Sequence, residues 1–235
     1  MRVGIIQSSY IPWRGYFDFI DSVDLFVEFD DIPFGSRGNW RHRNQIKTSR
    51  GPKWLTVPVN SKRELPIDQV LIDRSDSSWQ KTHRRMLQKW LGDAPFFRDA
   101  LEIWEEEVAA ASDTISQINH LLTRRICSYL KIDTPVVRAR EYAVTGAKTE
   151  RLINLLKKIG ASIYLSGPTA GGYLEEKRFR EAGIRLEFKS YDYPPYPQLW
   201  GDFFGPITIL DLIANTGGES RKFLKSLSPN GVIVT

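Results

Sequence analysis

Short apolar runs of strand length alternate with helical patterns in the first part of the chain. Val3 to Gln7 and Asp24 to Asp30 are rich in β-branched and aromatic residues, and a helix-compatible stretch from Gly15 to Asp21 separates them. A third extended run is Trp54 to Val59, and a weaker one follows around Val70 to Ile72. This alternation is typical of a mainly parallel sheet that helices cover.

The middle of the chain has helical periodicity. Apolar positions from Trp79 to Leu91 share one helix face, and Phe96 to Ala111 carries glutamates beside a single apolar stripe. Thr114 with Gln117 three residues later predicts a capping box for a helix from Ile115 to Lys131.

Alternation returns in the last third, which leads to a prediction for the whole fold. We expect one α/β, Rossmann-like domain with a mainly parallel sheet, built from residues 1–75 and 132–235, and a helical insertion at 76–131. The remaining predicted strands are Pro135 to Arg138, Ser162 to Ser166 and Ile184 to Tyr191, and the remaining helices are Leu152 to Ile159 (ended by Gly160), Glu175 to Ala182 and Ile207 to Asn215.

Composition excludes several classes of protein. A chain of 235 residues with 41% hydrophobic and 12% aromatic residues is long and apolar enough to bury a core, so it is not a disordered chain. No apolar window has the length of a membrane span, and the strand-like start predicts an unexported, cytoplasmic protein. The single cysteine, Cys127, excludes a disulfide framework and a Cys-rich zinc site.

The net charge of +5 is concentrated in one segment. Residues 32–63 hold eight basic side chains and no acidic one, and the rest of the chain has 25 basic against 28 acidic side chains. Residues 17–31, just before, hold six acids and no base. Either the two segments pair with each other, or together they form a site that binds an anion and places a proton acceptor or a metal beside it.

The turn after the first strand is one candidate site, because ligands of open α/β sheets bind beyond the carboxyl ends of the strands. Gln7 offers a neutral donor and acceptor, Tyr10 and Trp13 offer aromatic faces, and Gly15 gives room for a close backbone approach. The alternative is a tightly packed aromatic turn that fills the core.

The basic loop, residues 36–47, is a second candidate. Arg41 and Arg43 point the same way in an extended segment, and Arg37 or Lys47 could converge on them to hold a carboxylate or phosphate, beside Trp40 as a stacking surface. The alternatives are a solvated loop paired with the preceding acids, or a nucleic-acid surface. Nucleic acid is the weaker reading because the rest of the chain is net acidic.

Carboxylates and histidines supply the candidate acids and bases. Asp30 and Asp31 end the second strand, where one of them could accept a proton or hold Mg²⁺ on a phosphate, or both could simply neutralise the basic loop. Of the histidines, His42 is the candidate acid or base. His83 is expected at the edge of the core, and His120 lacks metal-ligand spacing.

Two later segments complete the candidate set. Residues 165–174 link a strand to a helix through three glycines, and Ser166 and Gly167 at their start could present donors to an anion. Residues 191–200, with Gln198 and Trp200, are aromatic and proline-rich, which suits either a recognition loop or a stiff crossover packed on the core.

Taken together, these motifs resemble the WbqC-like family of bacterial proteins, which are found with genes for surface polysaccharide of the O-antigen type. The resemblance covers roughly residues 1–218. The motifs that carry it are IIQSSYIPWRGYF, EFDD, NWRHRNQIK, WLTVPV, YLSGPTAGGYL, YPPYPQLWG and ILDLIANTGG.

What the resemblance implies is a transferase acting on an activated sugar or its acyl or aminoacyl donor. Its motif positions place the site, and they are Gln7, Tyr10, Trp13, Gly15, Asp30, Trp40, Arg41, Arg43, Lys47, Ser166, Gly167, Gln198 and Trp200.

The expected reaction is transfer of an acyl or aminoacyl group, such as glycine, to the amine of an amino sugar. Asp30 or Asp31 would be the base, and the loop at Ser166 would stabilise an oxyanion. The partner is an anionic small molecule bearing a nucleotide or phosphate. Mg²⁺ or a nucleotide is the open choice of cofactor.

Two other functions stay open at this point. One is a nucleic-acid or partner-binding module without turnover. The other is a nucleotidyltransferase or adenylate-forming enzyme, because the position of Trp13 to Tyr16 after the first strand resembles the place where enzymes of the HIGH type carry two histidines. Both positions are aromatic here, which puts adenylate chemistry in doubt.

Overall fold

A six-stranded sheet lies at the centre of the computed structural model, which describes residues 1–36, 38–76, 78–109, 113–168 and 175–233. The strands are β1 (Arg2–Ile6), β2 (Leu25–Glu28), β3 (Arg43–Ile46), β4 (Lys53–Thr56), β5 (Val59–Asn60), β6 (Leu71–Ile72), β7 (Val136–Arg138), β8 (Ile163–Ser166), β9 (Arg185–Phe188) and β10 (Gly231–Ile233). The α-helices of the described residues are α1 (Arg14–Ile20), α2 (Trp79–Leu91), α3 (Phe97–Ala109), α4 (Ile115–Tyr129), α5 (Lys148–Ile159), α6 (Glu176–Glu181) and α7 (Ile209–Thr216).

The sheet is mostly parallel, as the alternating pattern predicts. Its strand order is β10-β9-β8-β1-β2-β7, and every neighbouring pair is parallel except β9 and β10. The chain moves outward from β1 through β2 to β7, and then crosses to the other side of β1 to form β8 and β9. The strand order therefore reverses at β1, and the carboxyl ends of β1 and β8 border the position where such sheets open a crevice.

Two antiparallel hairpins lie outside this sheet. The β3–β4 pair aligns Asn44 with Leu55, so the basic loop is partly a strand, which the sequence analysis did not predict. The extended run from Trp54 to Val59 is split into β4 and β5, and Pro58, which has no backbone N–H to donate to a ladder, lies between them.

Both faces of the sheet are covered. On one face, α1 packs with the three helices of the middle region and with α7 in a single apolar core that contains Phe17, Leu87, Ile118 and Leu212. On the other face, α5 and α6 cover a second core, formed by Val3 and Ile5 of β1 with Leu155 and Phe179 among others. The helices at 79–129 therefore share a core with the sheet and with α7.

Local signals for helix ends agree with the structure where they are described. The Thr114 hydroxyl accepts a hydrogen bond from the Gln117 N–H at 3.3 Å and caps α4. Gly160 ends α5 in the left-handed region with φ of 79°. Helix α3 extends to Ala109, and residues 110–112 lie outside the described part. Within that part, no helix is long and apolar enough to cross a membrane.

Candidate functional site

A cleft of about 280 Å³ opens beside the carboxyl end of β1. Two indoles predicted to bind substrate, those of Trp13 and Trp40, form part of its wall, although they come from different loops. Trp40 is 47% exposed, so its ring presents a large apolar surface to a ligand. The lining residues are Ser9, Pro12, Trp13, Tyr16, Trp40, Asn44 and Pro206.

Hydrogen bonds join the two loops that form this cleft. The Tyr10 N–H donates to the Trp40 carbonyl at 3.1 Å. The buried Asn44 side chain, at the start of the β3–β4 hairpin, donates through Nδ2 to the carbonyls of Tyr10 and Ile11 at 3.2 and 2.9 Å. Because each loop satisfies the backbone of the other, the cleft is preformed.

The Trp13 indole is held from two sides. Its ring makes edge contacts with Tyr191 and Tyr193, at centroid distances of 5.2 and 5.6 Å. A Cβ on Gly15 would lie only 2.4 Å from Trp13 Cζ2. The space beside Gly15 that we expected to be open to a ligand is therefore occupied by this indole. Gly15 instead allows the Trp13 ring to take its position in the cleft wall.

Asp30 is buried and hydrogen-bonded to Ser8, the neighbour of the cleft residue Ser9. Its carboxylate accepts the Ser8 N–H at 2.8 Å and the Ser116 hydroxyl of α4 at 2.5 Å. The residue is only 4% exposed, and burial raises the pKa of this carboxyl against the opposing effect of its hydrogen bonds. Asp30 thus has the environment of a carboxylate that takes up a proton more readily than an exposed one.

The Arg41 guanidinium lies close enough to Asp30 to feel its charge. Burial lowers the pKa of Arg41, and the Asp30 carboxylate opposes that effect. Its Nε is buried without an acceptor, and no described residue takes a hydrogen bond from the guanidinium. A guanidinium whose buried Nε has no acceptor is costly unless an anion or water completes it, so this half-buried position has the chemistry of an anion site.

Sequence neighbours connect Asp30 and Arg41 to the cleft. Ser9 lines the cleft while Ser8 binds Asp30, and Trp40 lines the cleft while the Asp30 charge acts on Arg41. Asn119 of α4 completes the arrangement, because its Nδ2 donates to the Ser8 hydroxyl at 3.0 Å and to the Arg41 carbonyl at 2.8 Å.

Asp31 points elsewhere, as alternation along an extended segment predicts. Its carboxylate pairs with the guanidinium of Arg151 on α5. Among the described residues, no acid of the segment 17–31 forms an ion pair with a base of the segment 32–63. Direct pairing of the two charged segments, one of the two alternatives above, is therefore absent there, apart from the electrostatic contact between Asp30 and Arg41.

The Lys47 ammonium is fully hydrogen-bonded to other residues of the protein. Its ammonium donates to the Gln198 Oε1 at 3.2 Å and to the carbonyls of Gly201 and Asp202 at 3.1 and 2.5 Å. An ammonium has three donors, so all of them are used. The Gln198 amide in turn donates to Tyr196, Phe204 and Asp211. Lys47 and Gln198 therefore hold residues 196–204 in place through hydrogen bonds. Lys47 has no donor left for an anion.

Arg43 and Arg41 do not converge. The Arg43 guanidinium lies 3.9 Å from the centre of the Trp54 ring and donates to the Gly38 carbonyl at 2.5 Å. Trp54 also contacts the Trp40 ring at 5.1 Å. Arg43 therefore packs on Trp54, and Trp54 in turn packs on the Trp40 ring of the cleft wall. Arg37, the other arginine expected nearby, lies outside the described residues.

Two candidates lie away from the cleft lining. His42 is buried, and its Nδ1 donates to the Val57 carbonyl at 3.1 Å. Tyr10 is fully buried, and its hydroxyl lies between His83 and the Trp104 indole N–H. The Tyr10 ring therefore offers no surface for stacking on a ligand, and we leave it out of the proposed site.

The remaining candidates surround the carboxyl edge of the sheet. Gln7 is half-buried, with its carbonyl accepting from the Tyr16 hydroxyl at 3.4 Å. Ser166 is buried at the end of β8, Gly167 follows with open space at its Cβ position, and the rest of that loop, 169–174, lies outside the described residues. Trp200 instead docks on α2 by donating to the Trp90 carbonyl at 2.8 Å.

Sequence reasoning missed the contribution of α4. Ser116, Asn119 and His120 lie on one face of this helix and contact Asp30, Ser8 and Glu28 respectively. The signal was present as polar residues at positions i, i+3 and i+4 between the apolar positions of the helix. Within the described residues, no group of three or more histidine, cysteine or acidic side chains is arranged to hold a metal ion.

Comparison with known proteins identifies the family. The model of the WbqC-like protein family matches residues 7–223, a segment that contains the cleft, Asp30 and α4. The chain belongs to this family. It is 42% identical over 231 residues to the uncharacterized protein Rv1507c of Mycobacterium tuberculosis, an alignment that covers 95% of this chain and 97% of that protein. No solved structure matches the chain significantly.

Proposed function

We propose that this member of the WbqC-like family is a transferase that moves an acyl or aminoacyl group from an activated donor to the amine of an amino sugar. The observation that carries the proposal is the Arg41 guanidinium, whose buried Nε has no acceptor, which lies within reach of the Asp30 charge and next in sequence to Trp40 of the cleft wall. Aromatic walls, an anion holder and a buried carboxylate are the three parts that such a reaction needs.

The cleft is suited to one ring. Its volume of about 280 Å³ is at the lower end of small-molecule sites, so a sugar ring or a nucleobase fits, while the rest of a larger donor extends outside. Flat indole faces pack well against a ring, and Ser9 is a polar residue at the same wall, whereas the Asn44 side chain is already bonded to the backbone.

Arg41 is the group that would hold a phosphate or carboxylate of the ligand. A planar guanidinium binds either anion through two parallel hydrogen bonds. Lys47 cannot share this role without giving up the contacts described above, and the Arg43 guanidinium is held against the Trp54 ring and the Gly38 carbonyl, although its Nε also lacks an acceptor. The proposed anion site is therefore narrower than the cluster of bases expected from the sequence.

Asp30 would be the general base. The attacking amine forms a new N–C bond to the acyl carbon, its proton moves to the Asp30 carboxylate, and the bond from the acyl carbon to the leaving group breaks. The raised pKa of Asp30 suits this step, because a more basic carboxylate is a better proton acceptor near neutral pH.

The topology and the family context are consistent with this function. The five parallel strands, numbered along the chain, have the order 3-2-1-4-5, which is the order of Rossmann-like sheets that bind nucleotides at the reversal point. We place the reaction in the cytoplasmic synthesis of surface polysaccharide of the O-antigen type, on the resemblance of the motifs. Nucleic acid is not the proposed partner, and Mg²⁺ or a nucleotide remains the open choice of cofactor.

The test is binding followed by transfer. Nucleotide sugars, amino sugars and aminoacyl or acyl donors are screened by thermal shift and titration calorimetry against wild-type protein, Trp13→Ala, Trp40→Ala and Arg41→Met. We expect a phosphorylated or nucleotide-linked sugar to bind wild type and to lose at least tenfold in affinity in each variant. Phe96→Leu, an exposed ring outside the cleft, is the matched control and should bind normally.

Transfer is then followed by mass spectrometry with donors and amino sugars together. The expected product is an amide on the sugar, and Asp30→Asn should bind the sugar while its turnover falls by roughly 10²-fold or more. Binding of single-stranded oligonucleotides that weakens steeply with salt, with every small molecule silent, would instead support a nucleic-acid module.

A further inference from the structure

A buried carboxylate and a histidine form a pair at the carboxyl end of β2. The Glu28 Oε2 lies 2.7 Å from the His120 Nδ1. The Glu28 side chain is 1% exposed, whereas the His120 side chain is 14% exposed. A carboxylate accepts only, so Nδ1 carries the proton, and the other ring nitrogen, Nε2, is left for a different partner.

The Glu28 carboxylate has no other hydrogen bond within the described chain. Its Oε1 is buried without a partner. Burial raises the pKa of Glu28, and the charge of Asp30 acts in the same direction, while the hydrogen bond and charge of His120 and the charge of Arg138 on β7 oppose it. Burying an ionised carboxylate at this position costs free energy of folding. The hydrogen bond from His120 offsets part of that cost.

Helix α4 joins this pair to the proposed site. Ser116 and Asn119, on the same face as His120, bind Asp30 and the two loops of the cleft. Successive polar residues of one helix face therefore contact the proposed base, the cleft loops and Glu28. His120 is consequently a neighbour of the site through a rigid element, and not an isolated surface histidine.

We propose that His120 is a second proton-transfer group of this site, with Glu28 as its positioning residue, and that it protonates the leaving group of the donor. This inference rests on the proposed transferase function. The amine proton goes to Asp30, the N–C bond forms, the bond to the leaving group breaks, and the leaving group receives the proton from His120 Nε2. Proton exchange with solvent then returns His120 and Asp30 to their starting forms.

The geometry assigns the two roles to two different groups. A negative Glu28 beside Nδ1 stabilises the imidazolium that must donate from Nε2, and it fixes the orientation of the ring. Among the described residues, no basic side chain forms a hydrogen bond with Asp30, and its raised pKa suits acceptance of a proton. Paired titratable groups whose environments differ in this way divide acid and base work.

Proton NMR tests the pair without any need for activity, because the chain has only three histidines. The ring resonances of His120 are assigned with His120→Gln and compared in wild type and in Glu28→Gln at one neutral pH. We expect a downfield Nδ1–H resonance in wild type, typical of a ring N–H that donates to a carboxylate, and its loss or upfield shift when the carboxylate is removed. Glu187→Gln, which alters a buried glutamate of β9, is the matched control and should leave that resonance in place.

Kinetics test the role. We expect His120→Gln to lower kcat by roughly 10²-fold with little change in KM, and Glu28→Gln to lower kcat by a smaller factor, again with little change in KM. An unchanged Nδ1–H resonance in Glu28→Gln, or full turnover in His120→Gln, would overturn the proposal.

A failure of the transferase function itself is distinguishable. In that case no donor is turned over by wild type, and His120 is assessed by carbethoxylation with diethylpyrocarbonate, which requires an accessible Nε2. We expect the histidine adduct at His120, because His42 and His83 are buried. Absence of that adduct contradicts the proposal on its own.

Discussion

The Tyr10 hydroxyl lies 3.0 Å from the His83 Nδ1 and accepts a hydrogen bond of 2.7 Å from the Trp104 indole N–H. The His83 ring donates to the Thr56 backbone, so in the neutral ring Nδ1 is the acceptor and the Tyr10 hydroxyl donates to it. This chain of three side chains holds the first cleft loop against α2 and α3, and it depends on His83 being uncharged.

Acid should therefore weaken the fold through His83. Burial lowers the pKa of His83 from 6.5 to about 4. Between pH 6.5 and pH 4 the unfolded chain therefore binds a proton at His83 that the folded protein does not bind. Stability is expected to fall by about 3 kcal/mol as the pH drops from 6.5 to 4. Urea unfolding at several pH values measures it.

The control for this prediction is His83→Gln, which keeps an acceptor and removes the titration. Asp211 acts in the opposite direction, because burial raises its pKa to about 6 and the folded protein binds that proton first. The difference between wild type and His83→Gln isolates the histidine. Equal pH dependence in both proteins would show that His83 is not the acid-sensitive group.

Gly15 is expected to be intolerant of a side chain. In Gly15→Ala the new Cβ would lie 2.4 Å from Trp13, so the indole must move out of the cleft wall. We expect a loss of about 1–3 kcal/mol in stability, typical of overpacking, with a change in tryptophan fluorescence. Gly218→Ala, at an exposed position with open space around its Cβ, should keep both unchanged. Normal stability and fluorescence in Gly15→Ala would contradict the close contact.

The parts of the fold that depend on local pattern could be read from the sequence. β1, α1 and β2 carry their own periodicity, and the Thr114 cap needs only residues three apart. For the site, the aromatic faces of Trp13 and Trp40 beside polar loops predict that these residues stack on a ligand ring. Both residues line the cleft.

The parts that depend on distant contacts could not be read in this way. Strand β3 has no apolar alternation, and it forms because Asn44 satisfies the carbonyls of the first loop and because β4 pairs with it. Lys47 is recruited by Gln198, 151 residues away in sequence. Glu28 and His120 are 92 residues apart, and neither position has a motif that points to the other.

Lys47 provides a direct test between a structural and a ligand-binding lysine. In Lys47→Met, the acceptors at Gln198, Gly201 and Asp202 lose a charged donor, and we expect a loss of about 1.5–3 kcal/mol in stability. Hydrogen exchange should rise across 198–204. Lys53→Met, an exposed lysine of the paired strand β4, is the control and should change neither.

The opposite result has a clear meaning. If Lys47→Met keeps its stability and its exchange pattern, while phosphorylated ligands bind more weakly, then the ammonium leaves the 198–202 loop to hold the ligand. The anion site would in that case include Lys47 together with Arg41, as the distribution of charge in the sequence suggested.

The cap of α4 connects stability to the site. Thr114→Ala removes the acceptor for the Gln117 N–H, and a lost cap costs about 1 kcal/mol. The first turn carries Ser116, so its fraying should also loosen the hydrogen bond to Asp30. We expect faster hydrogen exchange at 115–119 and weaker turnover, whereas Thr114→Ser, which keeps a hydroxyl, restores both. If Thr114→Ala loses stability but exchange at 115–119 and turnover stay at wild-type values, the Asp30 environment is independent of the helix start, because the β1 loop alone then positions the carboxylate.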